Sequence, residues 1–474
     1  MPSHPSLKTP LSRRGFLGLS GGALTLGALS GCASLATAPA TRPPIIFVHG
    51  NGDTAALWIT TAWRFETEGW PADRLFAIDL PYPLARDEDA KPQPGRSSTA
   101  EHMAFLKAEV DRVRQATGSP QVVLIGNSRG GNAIRNYIRH GGGQHTVSHA
   151  ILGGTPNHGV WAIPGFREGN EFSGTGPFLS ELNRPRNAAG DEVDGPTRWL
   201  TIRSDHNDKF ASPDGVWIGR PGQPTFVSAA GPELRGAENI VLPGVDHRET
   251  AYSRPAFEAM WRFLTGEAPR HTGITVQKRP VLQGKITGLG LNPLDPASGN
   301  YTNNLPLAGA TLEIYAVGAD TGLRQGAPVH RKTVAADGLW GPFTAEAGQA
   351  YEFVINAPGY ATTHIYRSAF ARSSDWVHLR AERLADSEAG QVGSVVVFTR
   401  PRGYFDPRRD SLSLDGQTAL PGVPSAGTAG ASSTRLRLPA QAQRAIVGQF
   451  NGETVAGRNW PAEQGHLTVL ELSY

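Results

Sequence analysis

Residues 122–131 read VVLIGNSRGG, a four-residue apolar run that breaks into Gly126-Asn127-Ser128-Arg129-Gly130. A buried strand that ends in G-x-S-x-G and runs straight into a helix presents its serine on a sharp turn at the edge of a sheet. The five-letter pattern alone is weak, because 57 of the 474 residues are glycine and Gly18-Leu19-Ser20-Gly21-Gly22 fits it too. Context separates the two matches. Val122-Val123-Leu124-Ile125 reads as a strand, and Ala133, Ile134, Tyr137 and Ile138 give the next stretch one apolar helical face, closed at Gly141-Gly142-Gly143. Ser20 has no such frame.

Working outward, Ile45-Ile46-Phe47-Val48 reads as a second buried strand, closed by His49-Gly50-Asn51-Gly52, and Leu75-Phe76-Ala77-Ile78 as a third, stopped by Pro81 and Pro83. Residues 99–117 carry Met103, Leu106, Val110 and Val113 at helical spacing, with Gly118 as the stop. Further strands are expected at Ala150-Ile151-Leu152, Trp199-Leu200-Thr201-Ile202 and Ile240-Val241-Leu242, then a helix facing inward with Phe257, Trp261 and Leu264. This alternation predicts an α/β domain with a mostly parallel sheet over residues 43–268. A loop-rich insertion at about 155–197 carries Trp161, Phe166, Phe172 and Phe178, which suits either a mobile lid or a small core of its own.

Helical periodicity fades after residue 268. A linker over 269–280 is expected to lead into an all-β, sandwich- or barrel-like region, read as one unit over 281–362 and a second β-rich module over 363–474. The first resembles a transthyretin-like or carboxypeptidase-regulatory sandwich through LQGKITGLG, LAGATLEIYAV and YEFVINAPGY. At the other end, Ser12-Arg13-Arg14-Gly15-Phe16-Leu17 resembles a twin-arginine export signal, and Leu29-Ser30-Gly31-Cys32 a lipoprotein lipobox. Residues 1–32 then form a removable signal, with Cys32 the acylated anchor, and residues 33–42 a linker. Cys32 is the one cysteine, so no disulfide can form within the chain. Ala33 after it, rather than aspartate, implies the outer membrane if the cell is Gram-negative. A net charge of +3 with scattered Lys and Arg excludes a nucleic-acid footprint, and no clustered His/Cys set or EF-hand loop suggests a metal or cofactor.

Acyl transfer needs a nucleophile, a base, an acid to orient the base, and two N–H donors for the oxyanion. Ser128 is the candidate nucleophile. His247, in Gly244-Val245-Asp246-His247 after the last expected strand, is the candidate base; His102 lies within a helix and His206 beside the acid loop, so neither has the right chain order. Asp205 and Asp208 both follow Trp199-Leu200-Thr201-Ile202 and are candidates for the acid, whereas Asp246 adjoins His247 and its side chain diverges from it. The oxyanion donors are expected to be the backbone N–H groups of Arg129 and Asn51.

With FVHGNG, IGNSRGG, SDHNDKF and VDHRET in this order, residues 43–268 resemble α/β-hydrolase lipases and esterases, and the β-rich second half is similar to that of a two-domain archaeal lipase type. The resemblance favours Asp208, whose run Asp208-Lys209-Phe210-Ala211-Ser212-Pro213 is similar to the D-x-x-V-x-P continuation after the hydrolase acid. It implies a cofactor-independent serine carboxylic-ester hydrolase acting on an ester or lipid substrate, which the lipobox resemblance at Cys32 would tether outside the cytoplasm. The competing readings are a surface-anchored lipid- or glycan-binding protein with a silent hydrolase fold, and a hydrolase of amide or thioester bonds. Asn127 and Arg129 depart from the small or histidine residues usual in lipases. A cation at a helix N-terminus is disfavoured by roughly 0.3–1 kcal/mol, so an acidic partner for Arg129 is expected, with Asp53 the first candidate.

Overall fold

The computed structural model describes residues 42–205, 207–214, 218–292, 294–295, 300–425, 430–439 and 443–473. The export segment with Ser20 and Cys32, and His206, lie outside these residues. Chain order in the first half is β1 (Ile45–Val48), α1 (Ile59–Thr67), β2 (Leu75–Ile78), α2 (Thr99–Thr117), β3 (Val122–Asn127), α3 (Arg129–His140), β4 (Val147–Gly153), α4 (Pro177–Leu182), β5 (Arg198–Ser204), β6 (Glu238–Leu242), α5 (Glu249–Tyr252) and α6 (Arg254–Thr265). The strands form one sheet in the order β2-β1-β3-β4-β5-β6, every pair parallel.

Period-two alternation assigns the sheet's two faces. Ile45, Phe47, Val123, Ile125 and Ile151 pack against Phe65 of α1 and Phe257, Met260 and Trp261 of α6. Ile46, Val48, Val122, Leu124 and Leu152 pack instead against Leu106, Val110 and Val113 of α2 and Ile134 and Tyr137 of α3. The expected bounds of α2 hold at both ends. Ser98 and Glu101 form a capping box at its start, and Gly118 ends it with φ 65°, a left-handed conformation that favours glycine. Strand order reverses at β1, which lies between β2 and β3. Ligands in such sheets bind at the carboxyl ends of the strands beside the reversal, and the loops there carry Asn51 and Ser128.

The second half is all β: β7 (Val281–Gly288), β8 (Gly290–Leu291), β9 (Asn300–Tyr301), β10 (Thr311–Val317), β11 (His330–Thr333), β12 (Leu339–Thr344), β13 (Ala350–Asn356), β14 (Thr362–Arg367), β15 (Leu379–Ala381), β16 (Ser394–Thr399), β17 (Leu412–Leu414), β18 (Ser433–Leu438), β19 (Ala445–Phe450), β20 (Glu453–Arg458) and β21 (His466–Glu471). Its main sheet has the order β11-β10-β13-β14-β21-β16-β18. The division expected at 362/363 therefore does not follow the structure. β14 begins at that boundary, pairs antiparallel with β13 and parallel with β21, and so joins the two segments in one sheet. The physical reason is that strand propensity is local, whereas strand partners here lie up to about a hundred residues apart.

Nor is 269–280 a free spacer. The backbone N–H groups of Arg270 and His271 donate to Glu68, and the Thr272 carbonyl accepts from Arg64, so this segment lies along α1 and its end. Ile59 and Trp63 of α1 belong to the same apolar core as Leu282, Ile286, Trp340, Phe353 and Ile365 of the second half, and Trp63 Nε1 donates to the Ser373 carbonyl. Trp63→Ala removes a ring from a core common to both halves, at an expected cost of about 3–5 kcal/mol. Urea unfolding followed by far-UV and near-UV signals should move to a lower midpoint as one transition; a first-half transition left in place would contradict the shared core.

Candidate active site

Ser128 is the first residue after β3 and precedes α3, with φ 54° and ψ −124°, a strained backbone for a residue bearing a Cβ. Its flanking glycines make the turn possible. A Cβ on Gly126 would lie 2.8 Å from Gly130 C and Gly131 N, and one on Gly130 would lie 2.5 Å from the Val48 carbonyl oxygen. The close approach of β1, β3 and α3 thus leaves room for hydrogen alone at both positions. Ser128 N–H donates to the Gly153 carbonyl at 2.8 Å, tying the turn to β4.

His247 follows β6 in a short loop, and its Nδ1 lies 2.8 Å from Asp208 Oδ2, both side chains being buried. An Nδ1–H donated to the carboxylate leaves Nε2 as the basic nitrogen. The second oxygen of Asp208 accepts from Phe210 N–H, and the Phe210 ring lies 4.5 Å from the imidazole. Asp205 does not reach the histidine: its carboxylate accepts from the N–H groups of Asn207 and Gly244 and so supports the same loop from behind. Asp246 is fully buried and points away, toward the second half of the chain.

Ser128, His247 and Asn51 line one pocket of about 100 Å³ together with Val160, Phe172, Phe210, Ile218 and Tyr404. Arg129 is the first residue of α3, so its N–H lies outside the helix's own hydrogen-bond ladder. The Asn51 loop is held by the segment around Leu80 and Ala85 and by a bond of its own. The Asn51 side chain accepts from Ala85 N–H, and His49 Nδ1 bonds to the Gly50 carbonyl while Nε2 accepts from Leu80 N–H. This pattern requires a neutral imidazole, and burial pushes the His49 pKa down accordingly. His102 is likewise buried and lowered well below the usual value, chiefly by desolvation, and lies away from this pocket. Among the described residues no group of three or more His, Cys, Asp or Glu side chains could hold a metal ion.

Arg129 has an acidic partner, but not Asp53. Its guanidinium is 1% exposed and meets Glu171 through both carboxylate oxygens, at 2.9 and 2.8 Å, with further bonds to Ser97 and the Pro83 carbonyl. Asp53 pairs with Arg248 at 3.0 Å instead. The side chain of Arg129 runs inward beneath the 155–197 insertion, which brings Glu171 to it. Val160, Trp161 and Ile163 form a small buried cluster in that insertion, joined by Phe166, Phe172, Phe210 and Ile218. Its aromatics therefore pack as a local core over the pocket, while Phe178 stands outside the cluster. Asn127, the other departure from the common motif, donates to the carbonyls of Gly153 and His247 and to Thr250 Oγ1, linking the serine turn to the histidine loop. Tyr404 had no signal in sequence, because nothing local connects it to residues so far upstream.

Residues 43–172 match the family model of the alpha/beta hydrolase fold, and residues 279–384 that of the lipase C-terminal domain. Among solved structures, the chain is similar to Bacillus licheniformis lipase BlEst2 in mature form, at 20% identity over 48% of this chain and 93% of that one, with TM-score 0.34. It is similar to Aspergillus fumigatus lipase B at 16% identity over 51% and 56%, TM-score 0.33, and to phospholipase PlaB from Legionella pneumophila at 13% over 72% and 94%, TM-score 0.33. The first half is an α/β-hydrolase domain with a parallel sheet, and a β-rich region of several sheets follows it.

Glu171→Ala would leave the Arg129 cation buried without its carboxylate, at an expected loss of about 3–5 kcal/mol in unfolding free energy. Chemical denaturation of the purified variant measures it. A loss under about 1 kcal/mol would mean that the Ser97 and Pro83 oxygens suffice to hold the cation.

Proposed function

We propose that the chain is a serine hydrolase of carboxylic esters. The observation that carries this is the meeting of a serine on a positive-φ turn, in one pocket, with a histidine whose far nitrogen is held by a buried aspartate. In this reading Ser128 Oγ attacks the ester carbonyl as His247 Nε2 takes its proton, and Asp208 steadies the imidazolium that forms. The backbone N–H groups of Arg129 and Asn51 stabilise the oxyanion. His247 returns its proton to the departing alcohol, and a water, deprotonated by the same nitrogen, then releases the acid from Ser128. Asp53 and Arg248 border both the catalytic pocket and a larger cleft of about 560 Å³ against the β-rich half, which offers room for the remainder of a bulky ester. The match of residues 279–384 to a lipase C-terminal domain supports a lipidic substrate.

Ser128→Ala is expected to remove turnover of p-nitrophenyl esters, by at least about 10³-fold, with the circular dichroism spectrum unchanged. A fluorophosphonate probe should label the wild type at Ser128 and fail on the variant. Labelling without ester turnover would favour amide or thioester substrates, and no labelling of the wild type would favour a silent scaffold that binds lipid or glycan.

We also propose that the mature chain begins at Cys32, acylated after twin-arginine export, and is held at a membrane outside the cytoplasm. Among the described residues no helix is long and apolar enough to cross a membrane. Radiolabelled palmitate should enter the wild type and not Cys32→Ala, whose protein should move to the soluble extracytoplasmic fraction. Equal labelling of both would rule the anchor out.

A further inference from the structure

On the reading of Ser128 and His247 as nucleophile and base, we propose that Arg400, from the β-rich half, is a positioning residue that sets the loop presenting His247 to Ser128. The loop between β6 and α5 has no place in a sheet ladder, so side chains must fix it. On the hydrolase side Asn127 binds the His247 carbonyl, Ser204 the Val245 carbonyl and Asp205 the Gly244 N–H. The opposite side is supplied by residues more than 150 positions later in the chain.

Arg400 follows β16 directly, a strand flanked by β21 and β18, and its own N–H donates to the Ser432 carbonyl. Its guanidinium is 3% exposed and donates to Asp246 Oδ2 at 3.0 Å, to Glu249, to Tyr252 Oη at 2.7 Å and to the Tyr404 carbonyl at 2.6 Å. Asp246 joins this anchor to the loop's own turn. Its Oδ1 accepts from the N–H groups of Arg248 and Glu249, on the far side of His247, while Oδ2 accepts from Arg400 and from Tyr404 N–H. One rigid carboxylate thus ties the residues on both sides of the imidazole to a strand end of the other half. Arg409 adds an outer tie, donating to the Gly244 carbonyl at 2.7 Å and to Glu249. Burial, then the neighbouring Glu249, pushes the Asp246 carboxyl up, and Arg400 is the cation that opposes both. Four acceptors in fixed directions match a planar guanidinium and cannot all be reached by an ammonium group.

The test uses the full chain with Arg400→Met, Arg400→Lys, Arg409→Met and the Ser128→Ala control. A fluorophosphonate titrated to completion counts competent serines, and kcat and KM on p-nitrophenyl butyrate are taken per titrated site. A misplaced catalytic base predicts kcat down about 10²-fold in Arg400→Met with KM within about threefold, and partial recovery in Arg400→Lys. Should Arg400→Met fail to fold, Arg409→Met, which keeps the buried guanidinium, is expected to lower kcat about three- to tenfold at nearly unchanged thermal midpoint. A merely structural Arg400 would lower the midpoint and the number of titratable sites but leave kcat per site within about twofold of wild type, and that result overturns the proposal. Activity in Ser128→Ala would instead overturn the reading of the site itself.

Discussion

The constraint on which the site depends is steric: the carboxyl ends of β1 and β3 and the first turn of α3 pass so close that Gly126 and Gly130 can carry no side chain. The chain makes the turn between them only with Ser128 at φ 54°, a conformation costing of order 1–3 kcal/mol that the surrounding packing must offset. That packing is the parallel sheet with apolar clusters on both faces. It leaves the β1 loop against the serine, since a Cβ on Gly50 would lie 2.9 Å from Ser128 Cβ. Ser128, the Asn51 loop and the first N–H of α3 are therefore brought together by backbone packing before His247 and Asp208 are placed.

The histidine is placed differently. β6 is an edge strand of the sheet and is partly exposed, and the loop after it lies outside the sheet's ladder. Hydrogen bonds supply the missing definition, from Asn127 on one side and from the β-rich half on the other. That second half shares a core with α1, so its grip on the loop is backed by the burial of Trp63 and Ile59 as well as by ions. The β-rich half is in this way a structural part of the site.

What was legible in the sequence was local. Apolar runs of four residues predicted β1 and β3, the spacing of Leu106, Val110 and Val113 with Gly118 predicted α2 to the residue, and the order of serine, aspartate and histidine along the chain followed from the strands between them. Asp208 and Asp205 were separable only by resemblance, because their side-chain directions are set by how the chain leaves β5. Partners set by distant chain were not legible. A guanidinium reaches several ångströms from its Cα, so Arg129 chose among many carboxylates, and the one beneath the insertion won over Asp53 in the Asn51 loop. The seven-stranded sheet was hidden for the same reason: β14 looks alike whether it begins a new module or joins β13 to β21.

Two buried guanidinium–carboxylate groups, Arg129 with Glu171 and Arg400 with Asp246, hold the elements around the site. Apolar residues of similar size would cover the same surfaces and often give equal or greater stability. They would not specify direction. Arg129 meets two carboxylate oxygens, a hydroxyl and two carbonyls, a set that only one seating of the insertion on α3 satisfies. Arg400 makes the same demand of the histidine loop. Desolvation makes each pair costly to leave half-formed, so a slipped arrangement is penalised more heavily than it would be in an apolar contact. The insertion over the pocket and the loop bearing His247 are in this way each held to one register, by a charge that has no other acceptable place.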